Sequence, residues 1–412
     1  MDPPSLAELS REELALLVPE LLLCGHLIDR AGMPHAIAAF GRDGMRDIAI
    51  EEWMGASPVY TRRLQRALGF DGEGGVASIF KAMQVDIGAP PQFMDFRFRL
   101  VDHDGGEFWL DHCGALLDVE PLGDEYVVAM CHDIEDPTFD ATAAATDPRA
   151  RVRPVHRPPR RPADRHPHCS WTVTIEPDVD PLPWPEAAHR MGATRAADVE
   201  LATIDPADAG LSDYAGALVD HLRWHDFSRS ALVRIAEEVC LQGHLLALAF
   251  RRAVAERGDE EQAQDLTRRQ LTGIAGLASE RIRAALDLPS GLDGAAAVLA
   301  VHPALAPRAY VDVSVERDEH LVVRLGRGDG ATVDGAWPSL IDADHLKPLE
   351  ALVRGVDSHL HVEVLDDRPD ALLVEVVAGA VAAPEAEEVT LARFSGGADF
   401  RFSDRGTPVA VR

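Results

Sequence analysis

Hydrophobic residues recur at helical spacing in two separate stretches of the chain. Ser10, with Glu13 three residues later, has the pattern of a capping box at a helix N-terminus. Leu14, Leu17 and Leu21 then follow on one helical face, which predicts a helix. The same spacing predicts further helices over 58–68, 230–252 and 259–286. Each stretch of the chain therefore begins with helices.

Alternating apolar and polar positions follow each helical stretch. Phe96, Phe98 and Leu100 alternate with Arg97 and Arg99, which is typical of a strand with one buried face. Patterns of this kind predict strands over 93–100, 125–130, 171–175, 310–315, 359–364, 372–377, 390–394 and 398–402. Helices followed by antiparallel strands indicate the α+β class.

An internal repeat organises the chain. The motif Glu-x-x-x-x-Gly-His-Leu occurs twice, beginning at Glu20 and at Glu238, and the same offset of 218 residues places Arg63 on Arg281. One register that holds over so many residues predicts a tandem duplication. We assign residues 1–185 to the first α+β copy, 186–209 to an extended Pro-rich linker and 210–412 to the second copy.

The glycine and histidine of the repeated motif allow two interpretations. Glycine inside a helix costs about 1 kcal/mol, so Gly25 and Gly243 predict close helix contacts at equivalent crossings, with His26 and His244 hydrogen-bonded beside them. The alternative is that these histidines contact a ligand.

Composition and charge exclude several classes of protein. The 412 residues are 46% hydrophobic and 26% charged, as in globular proteins. The 40 Lys and Arg residues against 69 Asp and Glu residues give a net charge of −29, which disfavours binding to nucleic acid. No apolar run is long enough to span a membrane, and the N-terminus lacks the pattern of a signal peptide. We therefore expect a cytoplasmic protein without nucleic-acid or membrane partners, and we leave a homo-oligomer open.

Three of the five cysteines stand next to a histidine in the first copy. They are Cys113, Cys131 and Cys169, and His156 lies in the same region. Thiolate and imidazole are preferred ligands of zinc, so these four residues form a candidate zinc site, with iron as the less favoured metal. The strand region of the second copy has no cysteine, which indicates that the fold does not require these thiols. The alternative is a mixture of buried thiols and surface histidines.

Two further groups of residues complete the candidate site. His132 and Asp133 follow Cys131 directly and are candidate general bases. Seven arginines lie between 149 and 165, and Arg151, Arg153 and Arg157 are candidates for binding a carboxylate or phosphate. The alternative for this arginine segment is a solvated loop paired with acidic residues of the second copy.

Two short motifs resemble known families. Residues 147–153 read Asp-Pro-Arg-Ala-Arg-Val-Arg, and residues 164–171 read Asp-Arg-His-Pro-His-Cys-Ser-Trp. The first is similar to a segment of an uncharacterised bacterial α+β family. The second is similar to the strand that closes 4-vinyl-reductase-type ligand-binding domains and 2-aminothiazoline-4-carboxylate hydrolases. The resemblance implies an α+β ligand-binding fold, often with a thiol-bound metal, and carries over Cys131 and Cys169. Pro154 and His156 stand where that pattern has closely spaced cysteines, which leaves a metal-free site open.

These observations predict a metal-dependent enzyme, a hydrolase or lyase that uses zinc and acts on a small anionic molecule at a site in the first copy. In this interpretation a zinc-bound water is activated beside His132 or Asp133. The alternative is a non-catalytic protein that senses a small molecule or a metal.

Overall fold

The computed structural model describes residues 3–393 and 405–412. Its first half begins with two helices, α1 (Arg11–Ala67) and α2 (Gly75–Met83), followed by strands β1 (Met94–Leu100) and β2 (Gly105–Cys113). Helices α3 (Gly114–Val119), α4 (Asp124–Val128) and α5 (Glu135–Ala144) follow, and a π-helical turn (Ala129–Ile134) joins the last two. Strands β3 (Ala150–His156) and β4 (Cys169–Ile175) complete this half.

Two short helices, α6 (Glu186–Gly192) and α7 (Arg195–Asp198), connect the halves. The second half contains the helices α8 (Arg229–Ala255), α9 (Glu260–Ala285) and α10 (Gly291–Val301) and the strands β5 (Val313–Arg317) and β6 (Leu321–Gly326). It continues with α11 (Gly330–Asp334), α12 (Lys347–Val356), β7 (Leu360–Arg368), β8 (Ala371–Ala378) and α13 (Glu387–Ala392). The predicted α+β class is confirmed.

The two sheets have the same topology. Each is antiparallel with four strands, in the orders β1-β2-β4-β3 and β5-β6-β8-β7. The third and seventh strands each contain a register shift, after Pro154 and after Val364. A helix carboxylate binds the start of each of these strands: Asp140 accepts from the backbone N–H of Val152 (2.8 Å), and Glu350 from that of Val362 (3.0 Å). The chain therefore consists of two similar halves.

The helical parts correspond at the offset of 218 residues. Ser10 caps α1 in the predicted capping box with Glu13, and Ser228 caps α8. Within α1 the backbone leaves helical geometry at Gly41 (φ 70°), and the chain reverses there, so that Trp53 reaches back to Asp29. The position 218 residues after Gly41 is Asp259, the N-cap of α9. The bent α1 thus corresponds to the pair α8 and α9.

Reciprocal contacts join the halves. Arg63 binds Glu238 (2.9 Å), and Arg281 binds Glu20 (2.6 Å), so each arginine of the repeat pairs with the repeated glutamate of the other half. One apolar core cluster contains residues of both halves. Among the described helices, none combines the length and apolar character needed to cross a membrane.

The glycines of the repeated motif are tightly packed, but not at equivalent crossings as predicted. A Cβ on Gly25 would lie 2.3 Å from Ile87, which follows α2, whereas a Cβ on Gly243 would lie 3.0 Å from Ile28 of α1. The histidines occupy similar places, because the Nδ1 of His26 bonds the carbonyl of Ile87 (3.2 Å) and the Nε2 of His244 bonds that of Ala306 (3.0 Å), one residue beyond the position equivalent to Ile87.

Several predicted elements are corrected. Residues 125–130, predicted as a strand, are helical, because α4 and the π-helical turn occupy them. Residues 390–392 belong to α13 instead of a strand, and the strand predicted over 398–402 lies outside the described residues. The predicted linker 186–209 contains α6 and α7, so it is not wholly extended. The domain boundaries themselves stay a prediction.

Candidate ligand-binding cavity

A largely apolar cavity of about 240 Å³ lies mainly in the first half. The inner face of the first sheet forms one wall, with Phe96 of β1, Phe108 of β2 and Val173 of β4. The two arms of α1 form the opposite wall, and α2, α3, α5 and the end of α13 contribute the rest. The alternation of β1 produces this wall, because Phe96 points inward while Arg97 is partly exposed and pairs with Asp95 and Asp111.

The bend of α1 shapes the cavity. His26, Arg30, Met33 and Ile37 line it at intervals of three or four residues on the first arm, and the second arm contributes a similar stripe that includes Trp53. Because Gly41 reverses the chain, both stripes face the same space. The indole of Trp53 donates to Asp29 (3.3 Å) and ties the arms together.

The π-helical turn supplies the far wall. Met130 and Ile134 of this turn line the cavity, followed by Glu135, Thr138 and Phe139 at the start of α5. A π-helical turn widens the helix locally and is frequent at functional sites. Phe139, in the α5 helix that follows the turn, packs against both Phe108 (ring centroids 5.3 Å apart) and Trp171 (5.0 Å).

One arginine lies in the cavity wall between two acids. The Nε of Arg30 is 3.9 Å from Asp29 and 3.8 Å from Asp118, beyond hydrogen-bonding distance. Among the described residues, this Nε has no hydrogen-bond acceptor. Burial raises the pKa of Asp29, while Arg30 and the Trp53 indole oppose that rise. Burial also lowers the pKa of His26 to about 3, which leaves its ring neutral.

Two more carboxyl groups line the cavity at other positions. Asp86 accepts hydrogen bonds from the Tyr60 hydroxyl (2.7 Å) and the Gly88 backbone (2.6 Å), and burial raises its pKa to about 6. Burial raises the pKa of Glu135 further, to about 8, although Arg157 lowers it and Asp136 raises it. The Oε2 of Glu135 is buried and has no partner among the described residues.

The three candidate zinc ligands with thiol groups are buried in one neighbourhood. Burial raises the pKa of the Cys131 thiol well above its usual range, and the charges of Glu135, Cys113 and Cys169 add to the rise. Burial raises the pKa of Cys113 to about 12 and that of Cys169 well above its usual range. Cys113 caps α3 by accepting from the Leu116 backbone (3.4 Å).

The structure gives these donors no support as a zinc site. In the described parts of the chain, no group of three or more His, Cys, Asp or Glu side chains is arranged to hold a metal. The fourth candidate, His156, uses its Nε2 to bond the Pro167 carbonyl (3.0 Å). The zinc site therefore stays a prediction of the sequence.

The candidate general bases do not line the cavity. His132 bonds the carbonyl of Pro158 through its Nε2 (2.7 Å), so it anchors the arginine segment to the π-helical turn. Asp133 is exposed and lies 3.8 Å from Arg46.

The arginine segment pairs with acids of its own half rather than the second half. Arg153 binds Asp140 (2.9 Å), and Arg157 binds Asp136. The guanidinium of Arg151 donates to the carbonyls of Pro148, Ala150 and Asp180. In this arrangement the three arginines meet carboxylates and backbone oxygens of the protein, and none of them is among the residues that line the cavity.

The second half differs at the corresponding positions. Ala247 and Leu248 stand 218 residues after Asp29 and Arg30. A Cβ on Gly355 would lie 2.3 Å from the carbonyl oxygen of Gly276, so the backbones of α12 and α9 are in direct contact. The first half holds its cavity between the corresponding helices, α5 and the second arm of α1.

Sequence reasoning missed the charged residues of the cavity, namely Asp29, Arg30, Asp86, Asp118 and Glu135, whereas it offered His26 as a possible ligand contact. A signal was present for Arg30, because the adjacent Asp29 and Arg30 interrupt an otherwise apolar stripe of α1 and have no charged counterpart in the second copy.

Comparison with known proteins gave no match: no family model, curated protein or solved structure is significantly similar to this chain.

Proposed function

We propose that the first half is a non-catalytic binding domain for one small, mainly apolar molecule. The observation that carries this proposal is the cavity itself, because monomeric domains pack their interiors densely and seldom keep such a space without use. The aromatic walls and few polar groups are typical of a ligand pocket. A metal-dependent hydrolase or lyase gains no such support, since neither His132 nor Asp133 lines the cavity.

We further propose that the two halves arose by duplication and that the second half has a structural role. The shared sheet order, the equivalent caps and the reciprocal ion pairs support the duplication. The direct contact between α9 and α12 at Gly276 and Gly355 supports a closed second half. This arrangement predicts one ligand for each chain.

Titration with the neutral fluorescent probe N-phenyl-1-naphthylamine tests the binding function. We expect saturable binding of one probe per chain. Ala49 lines the cavity, so Ala49→Leu should fill part of it and weaken binding by about tenfold or more. Ala38→Leu is the matched control, because Ala38 lies exposed on the same helix and its enlargement leaves the cavity unchanged. Absence of saturable binding, or equal binding by both variants, would contradict the proposal.

A further inference from the structure

The charged groups of the cavity are mostly acidic. Among the described residues, four carboxyl groups line it, on Asp29, Asp86, Asp118 and Glu135, whereas Arg30 is the arginine that faces them in the same wall. The positively charged arginine segment, residues 149–165, forms its ion pairs with Asp140, Asp136, Glu120 and Asp124, outside the group of acids that lines the cavity.

Arg30 is poorly placed to bind an anion. Asp29 and Asp118 flank its Nε at 3.9 and 3.8 Å, so an incoming carboxylate would meet two acids together with the one cation. Coulomb repulsion at such distances offsets the attraction, more strongly in a partly buried site than in water.

Two of the acids lack an ion-pair partner in the described parts of the chain. Asp86 is bonded only by neutral donors, the Tyr60 hydroxyl and the Gly88 backbone. Glu135 has a buried Oε2 with no partner. Arg157 is the basic neighbour of Glu135, but its guanidinium donates to Asp136. A cation beside a buried carboxyl of this kind favours the ionised form, so the carboxyl releases its proton to solvent when the cation binds, and the pairing is strongest above about pH 8.

The apolar walls also suit a cation. Phe96, Phe108 and Phe139 present aromatic rings to the same space, and ring faces attract positive charge. Aromatic side chains are also what proteins use to recognise quaternary ammonium groups.

We propose that the ligand of this cavity is an organic cation, an amine or a quaternary ammonium group on an apolar body, and that Glu135 is the specificity-determining residue that pairs with its positive charge. This inference rests on the proposed binding function, and it opposes the small anionic molecule that the arginine segment suggested.

Three ligands of nearly equal shape test the proposal by displacement of N-phenyl-1-naphthylamine: phenyltrimethylammonium (cationic), tert-butylbenzene (neutral) and 2-methyl-2-phenylpropanoate (anionic). We expect the cation to bind about tenfold or more tightly than the neutral compound, and the anion to bind more weakly than both. Glu135→Gln should abolish the preference for the cation while tert-butylbenzene binds as before, which also shows that the variant is folded. Glu125→Gln, on the exposed surface of α4, is the control and should keep the preference.

The outcomes separate the two proposals. Binding of the neutral compound at least as tight as that of the cation, or tightest binding of the anion, would overturn the cation proposal and leave the binding function intact. A cation preference that survives Glu135→Gln would overturn the assignment of Glu135. Binding of none of the three compounds, together with failure of the fluorescent probe, would overturn the binding function itself.

Discussion

Glu52 lies on the second arm of α1 with its side chain fully buried, and no described residue donates a hydrogen bond to either carboxyl oxygen. Burial raises its pKa well above the usual range, and the nearby charge of Asp29 adds to the rise. The residue 218 positions later is Gln270, which is equally buried. The two halves thus place a carboxyl and its neutral isostere at corresponding sites.

This pair leads to a prediction for Glu52→Gln. A carboxyl whose pKa is raised by folding binds its proton more tightly in the native state, so the unfolded state releases a proton first as the pH rises. The stability that this protonated carboxyl contributes is present at low pH, and it is lost as the pH rises above the pKa of the carboxyl in the unfolded state. Glutamine has no proton to lose. Glu52→Gln should therefore raise the free energy of unfolding by about 1–3 kcal/mol at about pH 8 and by less at about pH 5.

Urea unfolding at the two pH values measures this difference. Glu319→Gln, in an exposed loop between β5 and β6, should change stability little at either pH. A variant Glu52→Gln that is destabilised at about pH 8, or equally stabilised at both values, would contradict the assignment of a protonated buried carboxyl.

Single residues were the scale at which sequence reasoning was least complete. The capping box of Ser10 and Glu13 depends on four consecutive residues and was predicted correctly. Whether three cysteines meet, or whether Arg30 and Glu135 face a cavity, depends on the packing of elements far apart in the sequence. Cys131 illustrates the limit, since it was expected directly after a strand over 125–130 but lies in the π-helical turn.

At the scale of elements, Gly41 determines the shape of α1. Its φ of 70° with ψ of −179° belongs to a region that only glycine adopts easily. Gly41→Ala should therefore lower the free energy of unfolding by about 1–3 kcal/mol and weaken probe binding, because both arms of α1 line the cavity. Gly192→Ala is the control: this glycine ends α6, and a Cβ added to it would meet no atom within 4 Å, so alanine should be neutral or slightly stabilising. Equal effects in thermal unfolding would refute the role of Gly41.

Elements were predicted well where periodicity was long and poorly where it was short. The long helices α8 and α9 and the strands β1, β4 and β8 lie where their patterns indicated. Residues 125–130 contain Tyr126, Val127 and Val128, which favour strands locally, yet they form a helix. Packing of Val127 into the core overrides this local preference, as often happens in short segments.

The closed packing of the second half gives another prediction at this scale. A Cβ on Gly355 would meet the backbone oxygen of Gly276 at 2.3 Å and the Cβ of Ser279 at 2.9 Å, and neither backbone can yield without separating α9 from α12. Gly355→Ala should cost about 1–3 kcal/mol, the usual range for overpacking. The probe should still bind, because neither Gly355 nor Gly276 lines the cavity. Loss of binding at unchanged stability would show that the halves are coupled in a way that this packing does not explain.

At the scale of the whole molecule, the repeat identified from the sequence contains the residues through which the halves meet, although it did not predict their contacts. The offset that aligned Arg63 with Arg281 and Glu20 with Glu238 also pairs these residues crosswise in space. Sequence comparison alone could align the two copies, but it could not show that each arginine reaches the glutamate of the opposite half, since that depends on the packing of α1 against α8 and α9.

The two crosswise ion pairs should contribute unequally to stability. The side chains of Arg63 and Glu238 are 6% and 2% exposed, and Arg63 also donates to the carbonyls of Ala197 and Val199. Arg281 and Glu20 are 24% and 18% exposed. Removing one partner of a fully buried pair leaves an uncompensated charge, so Arg63→Met should cost about 3–5 kcal/mol. Arg281→Met should cost about 1 kcal/mol, because water still reaches Glu20.

Urea unfolding of both variants, with Glu238→Met and the double variant Arg63→Met/Glu238→Met, tests this inequality. The double variant should be less destabilised than the sum of its single changes, because it leaves no buried charge without a partner. Arg234 also binds Glu238 (3.0 Å), so part of the compensation survives in Arg63→Met and the cost should fall toward the lower end of the range. Equal costs for Arg63→Met and Arg281→Met would mean that burial does not determine how much each ion pair stabilises the protein. Additive costs in the double variant would mean that Arg63 stabilises the junction through its carbonyl contacts rather than through Glu238.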